Sequence, residues 1–495
     1  MESIILKQIR NHAFTDKVAM SSNKMAITYK ELDSITNNMA NQLSRLLDGN
    51  RQRPVIIYQK RGIKFIEFIL TVHKCNCYYI PLEEGIPVER VRNIVNDINP
   101  ALILTDSTVD MDIQSCKVID ICYDKSESDC FELNDVMEDD LVYVMYTSGT
   151  NGHPKGVKIK YTNLENLVVS FYDVLFHKFD QPVKVGVLAS FSFDSSVKQI
   201  YNALFYGHEL VISDSSTKYF GRKIHDFFLK NNLTLSDITP SHLKIMITQS
   251  VATVSQIPYL IVGGEKLRWE ILHQYIDFVG YTPDFINVYG PTECCVDVAY
   301  NYITKEDLEN NKSGDVPIGI AIRNTKLLLR NEDESVITQK NVEGELCVSG
   351  KQVGAGYVNV ESDSFVKKDD VTEYRTGDIG YFDCDNKIVV KGRKDKQVKI
   401  NGNRVELEEI SCLIYEYLKV QCVVIFVKTD KRDKIIAYVA SDAVPKEVQD
   451  KMMEFLRSRL PSYMIPNSFV YDSKLPLTNN GKIDERYVMN LAANN

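Results

Sequence analysis

The segment Tyr146-Thr-Ser-Gly-Thr-Asn-Gly-His-Pro-Lys-Gly156 gathers three glycines, three hydroxyls and a lysine in eleven residues. Backbone N–H groups of such a loop, with the hydroxyls of Thr147, Ser148 and Thr150, donate to phosphate oxygens, and Lys155 adds charge. The spacing is not G-x-x-x-x-G-K-[ST], so this is no Walker A loop. A surface turn has a similar composition but does not ordinarily follow a buried apolar run and end in Pro-Lys-Gly. Four later segments fit the same chemistry. Tyr289-Gly-Pro-Thr-Glu293 supplies an aromatic, a hydroxyl and a carboxylate. Tyr374-Arg-Thr-Gly-Asp378 places an acid past a glycine turn, where it suits vicinal ribose hydroxyls. Gly392-Arg-Lys-Asp395 and Asn479-Asn-Gly-Lys482 set charges at turns. Singly each reads as turn chemistry or solvated charge. Their order and joint presence point to a nucleotide.

The elements that must position these residues read as α/β. Leu32, Ile35, Met39, Leu43 and Leu46 recur at helical spacing. Leu141–Tyr146, Val183–Ala189, Tyr259–Val262 and Phe285–Tyr289 read as buried strands, each running into a Gly-rich or polar loop. Ligands gather where such strands end. The expected architecture is a large N-terminal domain of βα-built sheets packed with helices, plus a small α+β C-terminal lid. The boundary is expected at the charged segment Gly392-Arg-Lys-Asp-Lys396, giving domains 1–394 and 395–495. The second would carry a helix over Glu406–Leu418 and a strand over Val420–Val427.

Composition narrows the class. The chain has 495 residues, 58 Lys+Arg against 67 Asp+Glu, and a net charge of -9. An acidic protein without a basic run is a poor nucleic-acid binder. No apolar stretch approaches the ~18–20 residues of a membrane span, and Met1-Glu2-Ser3-Ile4 lacks a signal-peptide pattern. The eleven cysteines have no metal or redox spacing and read as reduced thiols in a cytoplasmic protein. No nucleic-acid or membrane partner is expected.

Together the motifs resemble the adenylate-forming superfamily, specifically the amino-acid adenylation domains of nonribosomal peptide synthetases. The resemblance runs from Ile27-Thr-Tyr-Lys-Glu-Leu32 to Asn480-Gly-Lys-Ile-Asp484, through Tyr78–Pro87, Gly344-Glu-Leu-Cys-Val-Ser-Gly350, Gln397–Glu406 and Leu460–Pro466. It implies that Thr147, Ser148, Gly149, Thr150, Gly152 and Lys155 hold the ATP β/γ-phosphates. Thr292 would touch the α-phosphate, and Glu293 would ligate Mg²⁺. Tyr289 would stack on adenine, with Asn287, Gly263, Gly264 and Glu265 at its edge. Asp378 and Arg393 would hold the ribose, Asp395 would be a hinge, and Lys482 would bridge substrate carboxylate, ribose and α-phosphate. A carboxylate attacking an α-phosphate brings two anions together, which is why cations belong there. Asn151, Ala355, Val390 and Asn401 depart from the usual family residues.

By the same resemblance, Ser190-Phe-Ser-Phe-Asp-Ser-Ser-Val-Lys198 belongs to the substrate pocket. Asp194 would pair with an α-ammonium. Ser195, Lys198, Asp237, Ile261, Gly263, Val288, Val296 and Asp297 would line the wall, with Lys482 closing it. The set looks like that of glutamate-activating domains, with Lys198 meeting a side-chain carboxylate. Glutamine, aspartate or 2-aminoadipate are the alternatives, as is an acyl- or aryl-CoA ligase, and Lys198 pairing only with Asp237 or Asp297 is the plain structural reading. Too few residues (483–495) follow Lys482 for a carrier domain. The phosphopantetheine thiol acceptor is therefore expected on a separate carrier protein or elsewhere in a larger synthetase.

Overall fold

Thr28 opens the first long helix, Tyr29–Leu46, through a reciprocal cap. Its hydroxyl oxygen accepts from the Glu31 N–H, and the Glu31 carboxylate accepts from the Thr28 N–H at 2.8 Å. Leu32, Met39 and Leu43 of the expected apolar stripe are buried, whereas Leu46, in the last turn, is exposed. The computed structural model describes residues 3–23, 25–106, 116–149, 154–249, 253–368, 371–395, 397–400, 403–427, 434–441, 444–472 and 487. Thr150, Gly152 and Lys482, with Asn151 and Asn401, lie outside the described residues.

The chain divides into two compact units. The larger comprises Met1–Glu84, Asn99–Met145 and Gly156–Lys394. Its principal sheet has nine strands in the order Ile320–Ala321, Ala299–Ile303, Asp284–Tyr289, Tyr259–Val262, Leu235–Ile238, Lys184–Val187, Glu209–Ile212, Val18–Ser22 and Met25–Thr28. The six from Asp284–Tyr289 to Val18–Ser22 run parallel, as apolar strands joined by helices must. A second parallel array orders Val118–Ile119, Leu102–Leu104, Pro54–Gln59, Tyr78–Glu83 and Leu141–Thr147, with Lys155–Lys160 at its edge. An antiparallel sheet is built around Gly344–Gly350 and Val371–Phe382. The four strands expected from apolar runs are all present, at Leu141–Thr147, Lys184–Val187, Tyr259–Val262 and Asp284–Tyr289.

The smaller unit comprises Gly85–Ile98, Tyr146–Lys155 and Asp395–Asn495. Its described elements include a three-stranded sheet (Cys422–Val427, Lys434–Ala440, Ser468–Asp472) and the helices Leu407–Leu418 and Lys446–Arg459 around a separate core. The helix Val88–Ile98 packs on Lys446–Arg459, and Arg90 is paired with Glu409 at 2.9 Å, both side chains buried. Those contacts make a segment near residue 90 part of a unit otherwise formed by the C-terminal hundred residues. All eleven cysteines are free thiols. No helix among the described residues is long and apolar enough to cross a membrane.

His73 and His208 are among the histidines buried in the larger unit. Burial pushes His73 down to about 3, and burial, with the nearby His12 and Lys17, pushes His208 down to about 4. Both are neutral in the fold, while the unfolded chain takes up protons below about 6.5. Their contribution to stability is therefore complete above pH 6.5 and is lost as pH falls toward the folded values. Urea unfolding between pH 7 and 4 should show stability falling with acidification. His73→Leu should flatten that slope by about one proton, or about 1.4 kcal/mol per pH unit.

Candidate active site

Asp237 and Ile261 are register partners on adjacent parallel strands, and Ile261 is opposite Ile286 on the next. Side chains two residues apart share a face of a strand, so Asp237, Ile261, Gly263 and Val288 form one wall. A Cβ at Gly263 would lie 2.6 Å from Val288 Cγ2, so only glycine leaves that part of the wall unfilled. The helix Ser195–Phe205 starts at Asp194, whose carboxylate makes no capping bond to it. One turn on, Lys198 is 3% exposed. Its Nζ lies 2.6 Å from Asp237 Oδ2 and 2.7 Å from Asp297 Oδ2, over the Phe171 ring.

Burial alone would lower the Lys198 pKa, but the two carboxylates more than offset it and the net shift is upward. Asp237 is shifted upward as well, because burial outweighs the pull of Lys198. Asp297 reaches this cluster through a strained turn. Cys295 and Val296 both have left-handed backbones, with φ of 50° and 75°. A β-branched residue there is an outlier costing on the order of 1–3 kcal/mol. Gly290 permits it: a Cβ would lie 2.1 Å from the Val296 carbonyl oxygen and 2.6 Å from Asp297 Cα.

Two residues whose role the sequence does not reveal hold the approach to Asp194. Arg61 donates to the carbonyls of Val187 and Ser213, each at 2.7 Å, and to that of Ala189. It pairs with Glu83 at 3.2 Å and lies over the Phe191 ring. Glu83 accepts from the Phe191 N–H at 2.6 Å, and its own N–H donates to Ser192 Oγ at 2.7 Å. The pair thus clamps the turn from strand Lys184–Val187 into the Lys198 helix.

The nucleotide motifs form a second group in the same unit. Asp378 and Arg393 are direct cross-strand partners, with Arg393 Nη1 3.0 Å from Asp378 Oδ1. The Tyr289 hydroxyl donates to the other carboxylate oxygen. Burial and then Asp378 raise the phenol's pKa well above its ordinary value, so it stays a donor. Asn287 donates to the Pro317 carbonyl at 2.8 Å. The Glu265 carboxylate accepts from Ser241 Oγ at 2.6 Å and Ser241 N at 3.1 Å, at the start of helix Pro240–Thr248. Gly264 has a left-handed φ of 80°. Val390 packs with Tyr289 against an apolar cluster. Thr292 starts a short 3₁₀ turn carrying Glu293, which is fully buried and accepts from the Tyr357 hydroxyl at 2.6 Å. Among the described residues no three His, Cys, Asp or Glu side chains cluster for a metal. A lone buried carboxylate is nonetheless what Mg²⁺ takes from a protein when phosphate oxygens and water supply its other ligands, so Glu293 fits that ion.

In the smaller unit the phosphate-type loop already has protein partners. Ser148 Oγ donates to the Arg404 carbonyl at 3.0 Å and accepts from the Glu406 N–H at 3.1 Å. The Gly149 N–H donates to Glu409 at 3.3 Å, Thr147 Oγ1 reaches the Lys155 carbonyl at 3.5 Å, and Tyr146 donates to Asp97 at 2.6 Å. Asp395 accepts from the Gln397 N–H at 3.2 Å.

A family model described as "AMP-binding enzyme" matches residues 7–358. Zwittermicin A synthase ZmaJ of Bacillus cereus is 32% identical over 503 residues, covering 95% of this chain and 91% of that protein. Surfactin synthase subunit 1 of Bacillus subtilis (strain 168) is 31% identical over 493 residues, covering 96% of this chain but only 14% of that protein. In fold, the chain is similar to holo-PA1221, an NRPS protein containing adenylation and PCP domains, with a TM-score of 0.86 at 21% identity over 99% of this chain and 84% of that one. This chain belongs to the family of AMP-binding enzymes, the adenylate-forming ligases.

The tight turn generates a prediction. Gly290→Ala should push Val296 and Asp297 away from the strand end, costing roughly 1–3 kcal/mol in chemical denaturation. An unchanged unfolding midpoint would show that the turn yields without cost.

Proposed function

We propose that this chain activates L-glutamate with ATP as glutamyl-AMP, releasing pyrophosphate. It then passes the glutamyl group to the phosphopantetheine thiol of a carrier protein, in the cytoplasm, as a step of nonribosomal peptide synthesis. Family membership supports the reaction class, and the names of the relatives support the synthetase setting. The substrate choice is carried by one observation: a buried ammonium, Lys198, one helical turn beyond Asp194. An acyl-CoA ligase binding an acid without an α-ammonium has no use for that pair of charges.

The chemistry follows from the residues. Asp194 receives the α-ammonium, and the α-carboxylate oxygen attacks the α-phosphorus while the bond to the pyrophosphate oxygen breaks. Lys482 neutralises the charge that develops between the two anions. Asp378, held by Arg393 and Tyr289, accepts from the ribose hydroxyls. Thr147, Ser148, Thr150 and Lys155 bind the outgoing phosphates, with Ser148 exchanging its present protein partners. Glu293 would hold Mg²⁺, which would supply charge neutralisation to those phosphates. In the second step the thiol sulfur attacks the acyl carbon, the carbon–oxygen bond to phosphate breaks, AMP leaves and the thiol proton goes to solvent. Asp395 is the proposed hinge between the two steps.

Pyrophosphate exchange across the twenty amino acids and 2-aminoadipate should be strongest with glutamate. Lys198→Gln should remove the preference for glutamate over glutamine; unchanged discrimination would sink the pocket assignment. Lys482→Ala should lower the exchange rate roughly 10²–10³-fold, the scale of losing one charge-stabilising donor, with the unfolding transition intact.

A further inference from the structure

The cluster at Lys198 carries more negative charge than its ammonium can balance. Asp237 and Asp297 are both within hydrogen-bond distance of the same Nζ; Lys198 and Asp297 are buried, and the Asp237 side chain is 11% exposed. One cation and two carboxylates sum to −1. A substrate whose side chain ends in a carboxylate must meet this same ammonium, making three carboxylates around one lysine. Like charges in contact in a dry site do not all remain ionised; one takes a proton, as in carboxylate pairs generally.

We infer that a side-chain carboxylate enters this pocket together with one proton, which Asp237 holds and shares with it. This rests on the glutamate reading and deepens it. Asp237 is the better site of the two because it lies on the pocket wall beside Ile261, Gly263 and Val288, where an incoming side-chain carboxylate meets it. Burial raises the Asp237 carboxyl above the ordinary aspartate pKa. Once protonated, Asp237 is a hydroxyl donor to the incoming carboxylate, while Lys198 stays bonded to Asp297 and to the substrate. The pocket then selects a carboxylate by a neutral donor plus a shared ammonium. A carboxamide needs no proton to enter. Asp237 and Lys198 thus become a pH-dependent specificity pair.

The other titratable groups facing the cluster do not produce this signature. Burial raises the Tyr143 and Cys295 pKa values, so both are neutral near pH 7. Asp194 and the substrate α-ammonium are common to glutamate and glutamine and cancel in a ratio.

The test is the ratio of KM for glutamate to KM for glutamine in pyrophosphate exchange, measured from pH 6.5 to 8.5 with the full chain. The ratio should rise toward tenfold per pH unit, the slope of one proton taken up with glutamate alone. Calorimetry of glutamate binding in two buffers of different ionisation enthalpy should return close to one proton bound. Asp237→Asn, whose amide donates in place of the acid, should flatten the ratio while glutamate stays preferred. A flat ratio in the unaltered enzyme with glutamate still preferred would overturn the proton and leave the substrate reading intact. An Asp237→Asn protein that keeps the slope would overturn the assignment to Asp237. Exchange no better with glutamate than with other amino acids would overturn the substrate reading and this inference with it.

Discussion

An ammonium buried between two carboxylates has to be held in place by everything around it. Removing Lys198, Asp237 and Asp297 from water costs several kcal/mol per ion, and only short contacts at fixed positions return it. The three residues come from a helix, a central strand and a turn, far apart in sequence. Each carrier is correspondingly constrained. Asp237 is fixed by the register of parallel strands, and the Lys198 helix by the Arg61–Glu83 clamp on the turn that precedes it. Asp297 is fixed by a left-handed Val296 that Gly290 alone makes room for. The strain at Val296 is offset by the ion contact that the turn completes.

The nucleotide group follows a different rule. Asp378, Arg393 and Tyr289 lie on ordered strands, and their mutual bonds orient the carboxylate before any ligand arrives. Preorganised acceptors need no rearrangement when a sugar hydroxyl binds. Glu293 is set the same way by Tyr357. In the smaller unit the polar groups of the loop are instead occupied by Arg404, Glu406 and Glu409, so the proposed phosphate binding there would exchange partners. One group is prebuilt, the other competitive.

Much of this was legible in the chain. The buried strands are continuous apolar runs, and such runs declare themselves because both faces must be apolar. The helix Tyr29–Leu46 was readable from its period and from Thr28 and Glu31, which cap it through local bonds alone. Lys198 stood out because a lysine in an apolar helical stretch needs a partner. Asp237 and Asp297 were its candidate partners, but that one ammonium is shared by both was not legible, since a periodic pattern does not give distances. Arg61, Glu83 and Tyr357 had no role legible in the sequence, although Glu83 lies within the motif Tyr78–Pro87. Their roles are bonds to backbone and carboxylate atoms that only three-dimensional proximity defines.

Residue types and local spacing by themselves determined the α/β class and the order of the motifs that carry the family resemblance, and the residues of the candidate pocket are what that resemblance implies. These depend on propensity, periodicity and short-range chemistry, all written within a few residues. Tertiary structure alone decided that Lys198 is shared between two aspartates, and that Val296 is strained to bring one of them in. It also decided that Arg90 belongs with Glu409 and the C-terminal residues. Those outcomes depend on distance and burial between segments tens to hundreds of residues apart, where the strength of a charge–charge contact is set by exclusion of water.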